Sequence, residues 1–289
     1  MQANRQTIIE LRNNNYATMN PDMEGLRSSF LIPHSALSFI IIPARYGSER
    51  LPAKPLANIQ GMTMIERVYR QCERAEGIDE IYVATDHEAI MTEVKHFGGR
   101  AVMTSTNCAS GTDRVAEAAK LLGLQAATII NVQGDEPLID PKVLTALDLE
   151  MQSHPEVLVA TPVTPLKRSE DLLNPNVVFA VKDRNNNALY FSRHPIPFLR
   201  TLGTEAVDKW PKQHLYFKHI GVYAYRAEIL KQFVALGEST LERAERLEQL
   251  RLLEAGIPIR CVEVEYESVA VDTAEDVRRV ESLLGNSTQ

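Results

Sequence analysis

Arg45, Arg50 and Lys54 stand within ten residues of one another in the stretch Ile41-Ile42-Pro43-Ala44-Arg45-Tyr46-Gly47-Ser48-Glu49-Arg50-Leu51-Pro52-Ala53-Lys54-Pro55-Leu56. Arginine offers a planar fork of donors and lysine a point charge, and both suit phosphate oxygens. Three prolines stiffen the stretch around Gly47, so it can act as a cradle for a nucleoside triphosphate. The apolar run Phe39–Ile42 before it reads as a buried strand stopped at Pro43. The loop then sits just past a strand end, where open α/β sheets bind ligands. A solvated basic loop is the plainer alternative, but solvation alone asks for no prolines. Neither G-x-G-x-x-G nor G-x-x-x-x-G-K-[ST] occurs, so this is neither Gly-rich phosphate loop.

Two acidic positions could answer these cations. Asp135 lies in Asn131-Val132-Gln133-Gly134-Asp135-Glu136-Pro137, just beyond the strand-like run Thr128–Val132. A carboxylate there can hold Mg²⁺, which takes carboxylate and phosphate oxygens; the alternative is an aspartate shaping a turn. If the chain stays extended, Gln133 and Asp135 point to the same side. Asp272 lies in Val271-Asp272-Thr273-Ala274-Glu275-Asp276. Thr273-x-x-Asp276 is a capping box, so local sequence favours a helix start. Ala109-Ser110-Gly111-Thr112-Asp113-Arg114 likewise opens a helix with a Ser or Thr cap.

The elements that must position these residues alternate. Strand-like runs Phe39–Ile42, Ile81–Thr85, Ala101–Thr104 and Thr128–Val132 are interleaved with helical patterns at Met64–Arg74, Glu88–Phe97 and Thr112–Leu122. This predicts a parallel sheet covered on both faces. After Thr164 the rhythm changes. Val177–Lys182 and Ala188–Ser192 flank the polar turn Asp183 to Asn187 and read as a hairpin. Residues 193–216 read as a long loop over the site. Tyr216–Tyr225 reads as one strand, with His219, Gly221 and Tyr223 on a shared face; a lone strand histidine is commonly structural. Ser239-x-x-Glu242 opens a helix expected over Leu241–Ala255, where Glu248 and Gln249 flank the stripe Leu241, Leu247, Leu250. A strand near Ile259–Val264 and a helix from Thr273 close the domain. Residues 165–225 form a smaller lobe in this reading, residues 1–37 a mobile extension and 38–289 the body.

Composition narrows the partners. A net charge of −7 argues against nucleic acid or an anionic membrane as the main partner. No apolar run approaches the roughly 20 residues of a membrane span. Cys72, Cys108 and Cys261 show neither metal-ligand spacing nor an even disulfide framework, and Cys72 falls on a helical core face with Ile65, Val68 and Tyr69. A reducing, cytoplasmic setting is expected.

The cationic loop resembles the signature R-x-x-S-x-R-x-P-x-K-P of the sugar-acid cytidylyltransferases, through Arg45, Ser48, Arg50, Pro52, Lys54 and Pro55. Ala53 stands where that family usually has glycine, a change that costs little unless the backbone needs positive φ. The resemblance extends from Ser38 to Leu284 through further motifs in family order. N-x-Q-G-D-E-P and V-D-T-x-E-D imply that Asp135 and Asp272 bind metal, Mg²⁺. S-G-T-[DE]-R implies that Ser110, Gly111 and Arg114 lie against cytosine and ribose, with Arg114 on the pyrimidine edge and Ala84 and Asp86 completing the pocket. K-H-x-G-x-Y and L-E-Q-L imply that His219, Tyr223, Glu248 and Gln249 meet the sugar acid. Gln133 and Arg193 join them, Arg193 suiting the sugar carboxylate. The implied fold is Rossmann-like α/β, of the nucleotide-diphospho-sugar transferase type. It is a three-layer α/β/α sandwich with a mostly parallel sheet and a partly antiparallel lobe. The implied partners are CTP and a 3-deoxy-octulosonate (Kdo) for lipopolysaccharide biosynthesis. The resemblance implies that Arg45, Lys54, Asp135 and Asp272 would carry nucleotidyl transfer with release of pyrophosphate, in an expected homodimer joined through the smaller lobe. Sialic acid or 8-amino-Kdo are alternative acceptors. A glycosyltransferase consuming a nucleotide-sugar predicts a D-x-D triplet, which the chain lacks. A nucleotide sensor has no need of both aspartates and a sugar pocket.

Overall fold

A computed structural model describes residues 37–47 and 50–286. Ser48 and, Leu37 apart, the expected N-terminal extension lie outside them. In chain order the strands are β1 (Ser38–Ala44), β2 (Asn58–Ile59), β3 (Met62–Thr63), β4 (Glu80–Thr85), β5 (Ala101–Met103) and β6 (Thr128–Asn131). They continue as β7 (Val159–Pro165), β8 (Phe179–Lys182), β9 (Ala188–Ser192), β10 (Phe217–His219), β11 (Tyr223–Arg226) and β12 (Arg260–Glu263). The helices are α1 (Met64–Glu73), α2 (Glu88–His96), α3 (Gly111–Leu121), α4 (Pro141–Ser153), α5 (Ala227–Leu236), α6 (Thr240–Glu245), α7 (Leu250–Glu254) and α8 (Ala274–Asn286).

β1 explains the layering. Phe39 and Ile41 enter one apolar cluster while Ile40 and Ile42 enter another, so the strand is buried on both faces. The first cluster takes Val115 and Ala118 of α3 and Leu230 and Phe233 of α5. The second takes Ile65 and Val68 of α1, Ile90 and Val94 of α2, and Leu144 and Leu147 of α4. Cys72 is buried in this second layer, on the face its spacing predicts. β5, β4, β1 and β6 run parallel, and the sheet continues through β11, β7, β10, β8 and β9. β11 is antiparallel to both β6 and β7, while β12 lies parallel along β7. The predicted hairpin is present as antiparallel β8 and β9. Its turn is held by the Asp183 carboxylate, which accepts from the Asn185 and Asn187 amides at 2.8 Å each.

Three expectations need correction. Tyr216–Tyr225 is not one strand but β10 and β11, parted at Ile220-Gly221-Val222. The cause is Pro162 in β7, which accepts from the Ile220 amide at 3.1 Å but has no N–H to return. The Thr161 hydroxyl stands in, 2.8 Å from the Val222 carbonyl and 3.3 Å from that of Ile220. The helix expected over Leu241–Ala255 is likewise two, α6 and α7, because Arg246 turns left-handed at φ 55°. Residues 193–216 are not structureless either, since a 3-10 stretch runs over Thr204–Lys212. Trp210 anchors it, packed with Leu172, Phe179 and Tyr216 and donating to the Gly203 carbonyl at 3.0 Å.

Where β6 ends, Gly134 passes under the backbone of β1. A Cβ on Gly134 would lie 2.8 Å from the Pro43 carbonyl oxygen, too close for any side chain. Gly134→Ala is therefore expected to lower stability by about 2 kcal/mol, read from the urea midpoint. An unchanged midpoint would mean that this close approach does not constrain the fold.

Candidate active site

The carboxyl ends of β1, β4 and β6 converge, as the parallel order requires. The loop leaving β1 ends in a 3-10 turn over Lys54–Leu56, entered through Ala53 at φ 51° and ψ 37°. That left-handed corner turns Lys54 back into the structure. Its ammonium lies 2.7 Å from Asp135 Oδ2 and 3.1 Å from Asp272 Oδ1, and also donates to the Val271 carbonyl at 3.1 Å. Arg50 reaches the same Asp272 oxygen at 3.0 Å from the surface. Arg45 is exposed at the mouth of the loop.

Asp135 does not share a side with Gln133. β6 stops at Asn131 and the chain turns, the Glu136 amide donating to the Gln133 carbonyl at 3.3 Å. The Gln133 amide lies 3.5 Å from Asn131 Oδ1 and toward Gly111, whereas Asp135 meets Lys54. Asp272 keeps its capping surroundings, since Asp276 Oδ2 accepts from the Asp272 and Thr273 amides at 3.1 and 2.9 Å. The capping box and the approach to Asp135 thus coexist.

Both carboxylates already bond one cation-sized point, the Lys54 ammonium, so the donor set fits a hard divalent cation completed by phosphate oxygens. Among the described residues no group of three or more His, Cys, Asp or Glu is gathered for a metal. The fit is therefore to a cation sharing its shell with a substrate.

The next wall comes from β4 and α3. Asp86, following β4, accepts from Arg114 Nη2 at 2.8 Å and from the Tyr46 amide at 3.4 Å. Arg114 is 4% exposed, with Nη1 on Thr104 Oγ1 at 2.6 Å and the Ser105 carbonyl at 3.3 Å. It braces the wall as much as it presents a face. Tyr46 stacks on His87 with ring centroids 3.8 Å apart, a contact the sequence reading did not contain. Ala84 is fully buried in β4, a core residue. Ser110 closes the capping box with Asp113, and Gly111 packs against Pro43.

The opposite wall is made by the broken elements. The left-handed Arg246 follows α6, where Arg193 Nε donates to the Glu245 carbonyl at 2.9 Å and Nη2 to that of Arg246 at 3.3 Å. Arg193 thus caps a helix end. The break delivers Glu248 beside Ser110 and Thr112 at the start of α3. Burial raises the Glu248 pKa above the ordinary carboxylate value, opposed by hydrogen bonds from those two hydroxyls. Among the described residues, buried Gln249 Nε2 has no hydrogen-bond partner. His219 lies 5.4 Å from the Tyr223 ring, so the face of this pair survives the break in the strand. Its Nε2 is 3.0 Å from Thr161 Oγ1. Burial pushes the His219 pKa down to about 3 and raises that of Tyr223 well above its usual value. The imidazole is neutral at physiological pH. The one hydroxyl hydrogen of Thr161 serves a carbonyl, so Nε2–H donates to its oxygen.

Sequence reasoning passed over Glu136, although it stands inside the Asp135 motif. It is 5% exposed and accepts from Tyr266 Oη at 3.0 Å and from Ser268 Oγ. Burial raises its pKa as well, opposed by those two hydroxyls.

A cytidylyltransferase family pattern matches residues 39–263. The 3-deoxy-manno-octulosonate cytidylyltransferase of Myxococcus xanthus is 49% identical over 251 residues, covering 86% of this chain and 97% of that protein. Its namesake in Bacteroides thetaiotaomicron is 47% identical over 249 residues, covering 85% and 97%. A solved CMP:2-keto-3-deoxy-manno-octonic acid synthetase complexed with CTP superposes with a TM-score of 0.80 at 40% identity, covering 87% of this chain and 99% of that one. A cytidylyltransferase from Leptospira borgpetersenii shares the fold, with a TM-score of 0.56 at 18% identity over 86% of this chain and 87% of its own.

Two substitutions test this geometry. Ala53→Gly relieves a left-handed alanine and is expected to raise stability by about 1 kcal/mol in urea denaturation; no gain would mean that the corner carries no strain. For Glu248 the folded pKa lies above the unfolded one, so its contribution is present in acid and lost as pH rises through the folded value. Glu248→Gln stays neutral at every pH. Its melting temperature should exceed wild type at pH 8 and the gap should shrink toward pH of about 4. A gap that widens in acid would contradict the burial argument.

Proposed function

The chain belongs to the 3-deoxy-manno-octulosonate cytidylyltransferase family, and from that premise we propose that it joins CTP to a 3-deoxy-octulosonate, giving the CMP-sugar and pyrophosphate. One observation carries the reading in this structure. Lys54, Asp135 and Asp272, from three distant parts of the chain, meet at a single point beside a cationic loop. That is an apparatus for a triphosphate and its counter-ion.

The anomeric 2-hydroxyl oxygen attacks the α-phosphorus in line. The bond from that phosphorus to the oxygen bridging toward the β-phosphate breaks, pyrophosphate leaves with the electron pair, and the hydroxyl proton passes to water. Transfer is direct, so no cysteine or histidine nucleophile is required. Asp135 and Asp272 would hold a divalent cation, Mg²⁺, which when bound supplies charge neutralisation on the phosphates. Arg45, Arg50 and Lys54 neutralise the triphosphate and the charge that develops on the leaving group. Ser48 belongs to the same sequence motif, and Ser110, Gly111, Asp86 and the Asp86-braced Arg114 form the wall for cytidine, with Ala84 packed in the core behind it.

The acceptor needs partners that can both give and take hydrogen bonds. Neutral His219, Tyr223 and Gln133 provide these, and the unpartnered Gln249 amide nitrogen supports the same assignment. Glu248 accepts from sugar hydroxyls, and Arg193 at the rim suits the carboxylate. The lobe exposes Leu173, Leu189, Phe198 and Leu215, which supports a homodimer formed through it.

Pyrophosphate release, measured with the four nucleoside triphosphates against Kdo, 8-amino-Kdo and sialic acid, should require CTP and Kdo. Release with sialic acid but with neither octulosonate overturns the proposal. Asp135→Asn should lower turnover by about a hundredfold or more. Near-full turnover of that variant at saturating Mg²⁺ would remove the metal from Asp135.

A further inference from the structure

Asp272 reaches the site on an extended segment that leaves β12 and passes Glu136 before joining α8. Its side chains alternate. Glu265 and Glu267 are bonded by Lys167 and Lys218 at 2.8 and 2.7 Å. Lys218, which precedes His219 in β10, also bonds Asp171 at 2.9 Å. Tyr266 and Ser268, between and beyond them, turn the other way, onto the Glu136 carboxylate. Two positions after Val269 the Val271 amide donates to the Asp135 carbonyl at 2.9 Å. Glu136 and Asp135, adjacent at the end of β6, therefore hold this segment at three points just before Asp272.

Burying a carboxylate costs free energy that hydrogen bonds only partly return, and its place here calls for a reason. Asp272 is tied to Asp135 through the chain only by a long detour, so the spacing of the pair has to be set by contacts across space. At the Asp272 end the Val271 amide supplies one such contact, beside the Lys54 ammonium on the Val271 carbonyl and the burial of Val271 against Ile59, Met64 and Val280. The Tyr266 and Ser268 hydroxyls on Glu136 fix the stretch that leads up to it on the side facing Asp135.

We propose that Glu136 is a positioning residue that sets the separation of Asp272 from Asp135 by clamping the Tyr266–Ser268 segment. The inference rests on the assignment of a divalent cation to those two aspartates. Glu136 acts through its two acceptor oxygens, not through its charge. Glutamine retains the clamp, because its amide can donate to one hydroxyl while its carbonyl accepts from the other. Alanine cannot.

The test is Mn²⁺ affinity in the presence of CTP, measured by electron paramagnetic resonance of free Mn²⁺, with melting in EDTA to confirm folding. Glu136→Ala and the double variant Tyr266→Phe/Ser268→Ala should weaken Mn²⁺ binding by about 10- to 100-fold, as removal of groups that orient metal ligands does. Glu136→Gln should stay near wild type. The double variant leaves Glu136 in place and keeps the test open if Glu136→Ala does not fold. Wild-type Mn²⁺ affinity in the double variant overturns the clamp. So does a Glu136→Gln variant that binds as weakly as one without both hydroxyls, since charge would then be what matters. Asp135→Asn separates the two readings: if it binds Mn²⁺ as wild type does, the metal assignment falls, whereas loss there with full binding in the double variant sinks the clamp alone.

Discussion

The Lys54 ammonium between two aspartates is the interaction on which the site depends. Asp135 and Asp272 approach a common point, and two carboxylates brought so near repel unless a cation lies between them. Lys54 supplies that cation from within the chain, 2.7 Å from Asp135 and 3.1 Å from Asp272. Several local departures from easy geometry converge on it. Ala53 adopts a left-handed conformation to aim Lys54, Gly134 gives up its side chain to let the Asp135 turn slide under Pro43, and a buried glutamate steadies the approach of Asp272.

The two halves of the site are electrostatically unlike. Around the loop that follows β1 the groups are charged and bonded to opposite charges: Arg50, Lys54, Asp135, Asp272 and, in the adjoining wall, Arg114 with Asp86. At the wall built by β10, β11 and the α6–α7 break, burial works against charge, keeping His219 neutral and raising the pKa values of Glu248 and Tyr223. Fixed charge suits phosphate oxygens, whereas groups that can both donate and accept suit hydroxyls, which is what the proposed reaction asks of the two ends. One sheet provides both environments because its parallel strands end at the first and its antiparallel additions, with the broken helix, build the second.

Much of this was legible in the chain. Double-sided burial of β1 follows from four consecutive apolar residues, and the caps at Ser110, Ser239 and Thr273 follow from their spacing to an acidic partner. The misreadings have local physical causes. β7 carries Pro162 and Pro165, which speak against an interior strand, so neither it nor the break it forces between β10 and β11 could be seen. The α6–α7 break depends on Arg193, some fifty positions earlier in sequence, capping the Glu245 carbonyl at 2.9 Å. α4 begins with Asp140 capping and Pro141 in its first turn, a start signal that periodicity alone overlooked. The motifs around Lys54, Ser110, Asp135 and Asp272 were visible because each is short and contiguous. Glu136 was not, because its role depends on partners near the far end of the chain.

β7 bears on how the protein can move. Along one edge it pairs with β11 through Ala160 and then with β10 through Val163, while β12 occupies the other edge past both. The segment 165–225 is thus laced into the sheet by pairing with β7 instead of hanging from a linker. Swinging it as a rigid body would rupture the ladder hydrogen bonds that β10 and β11 make along one edge of β7. Motion that leaves these ladders intact is confined to the loops and side chains at the strand ends and to slight sliding of packed layers.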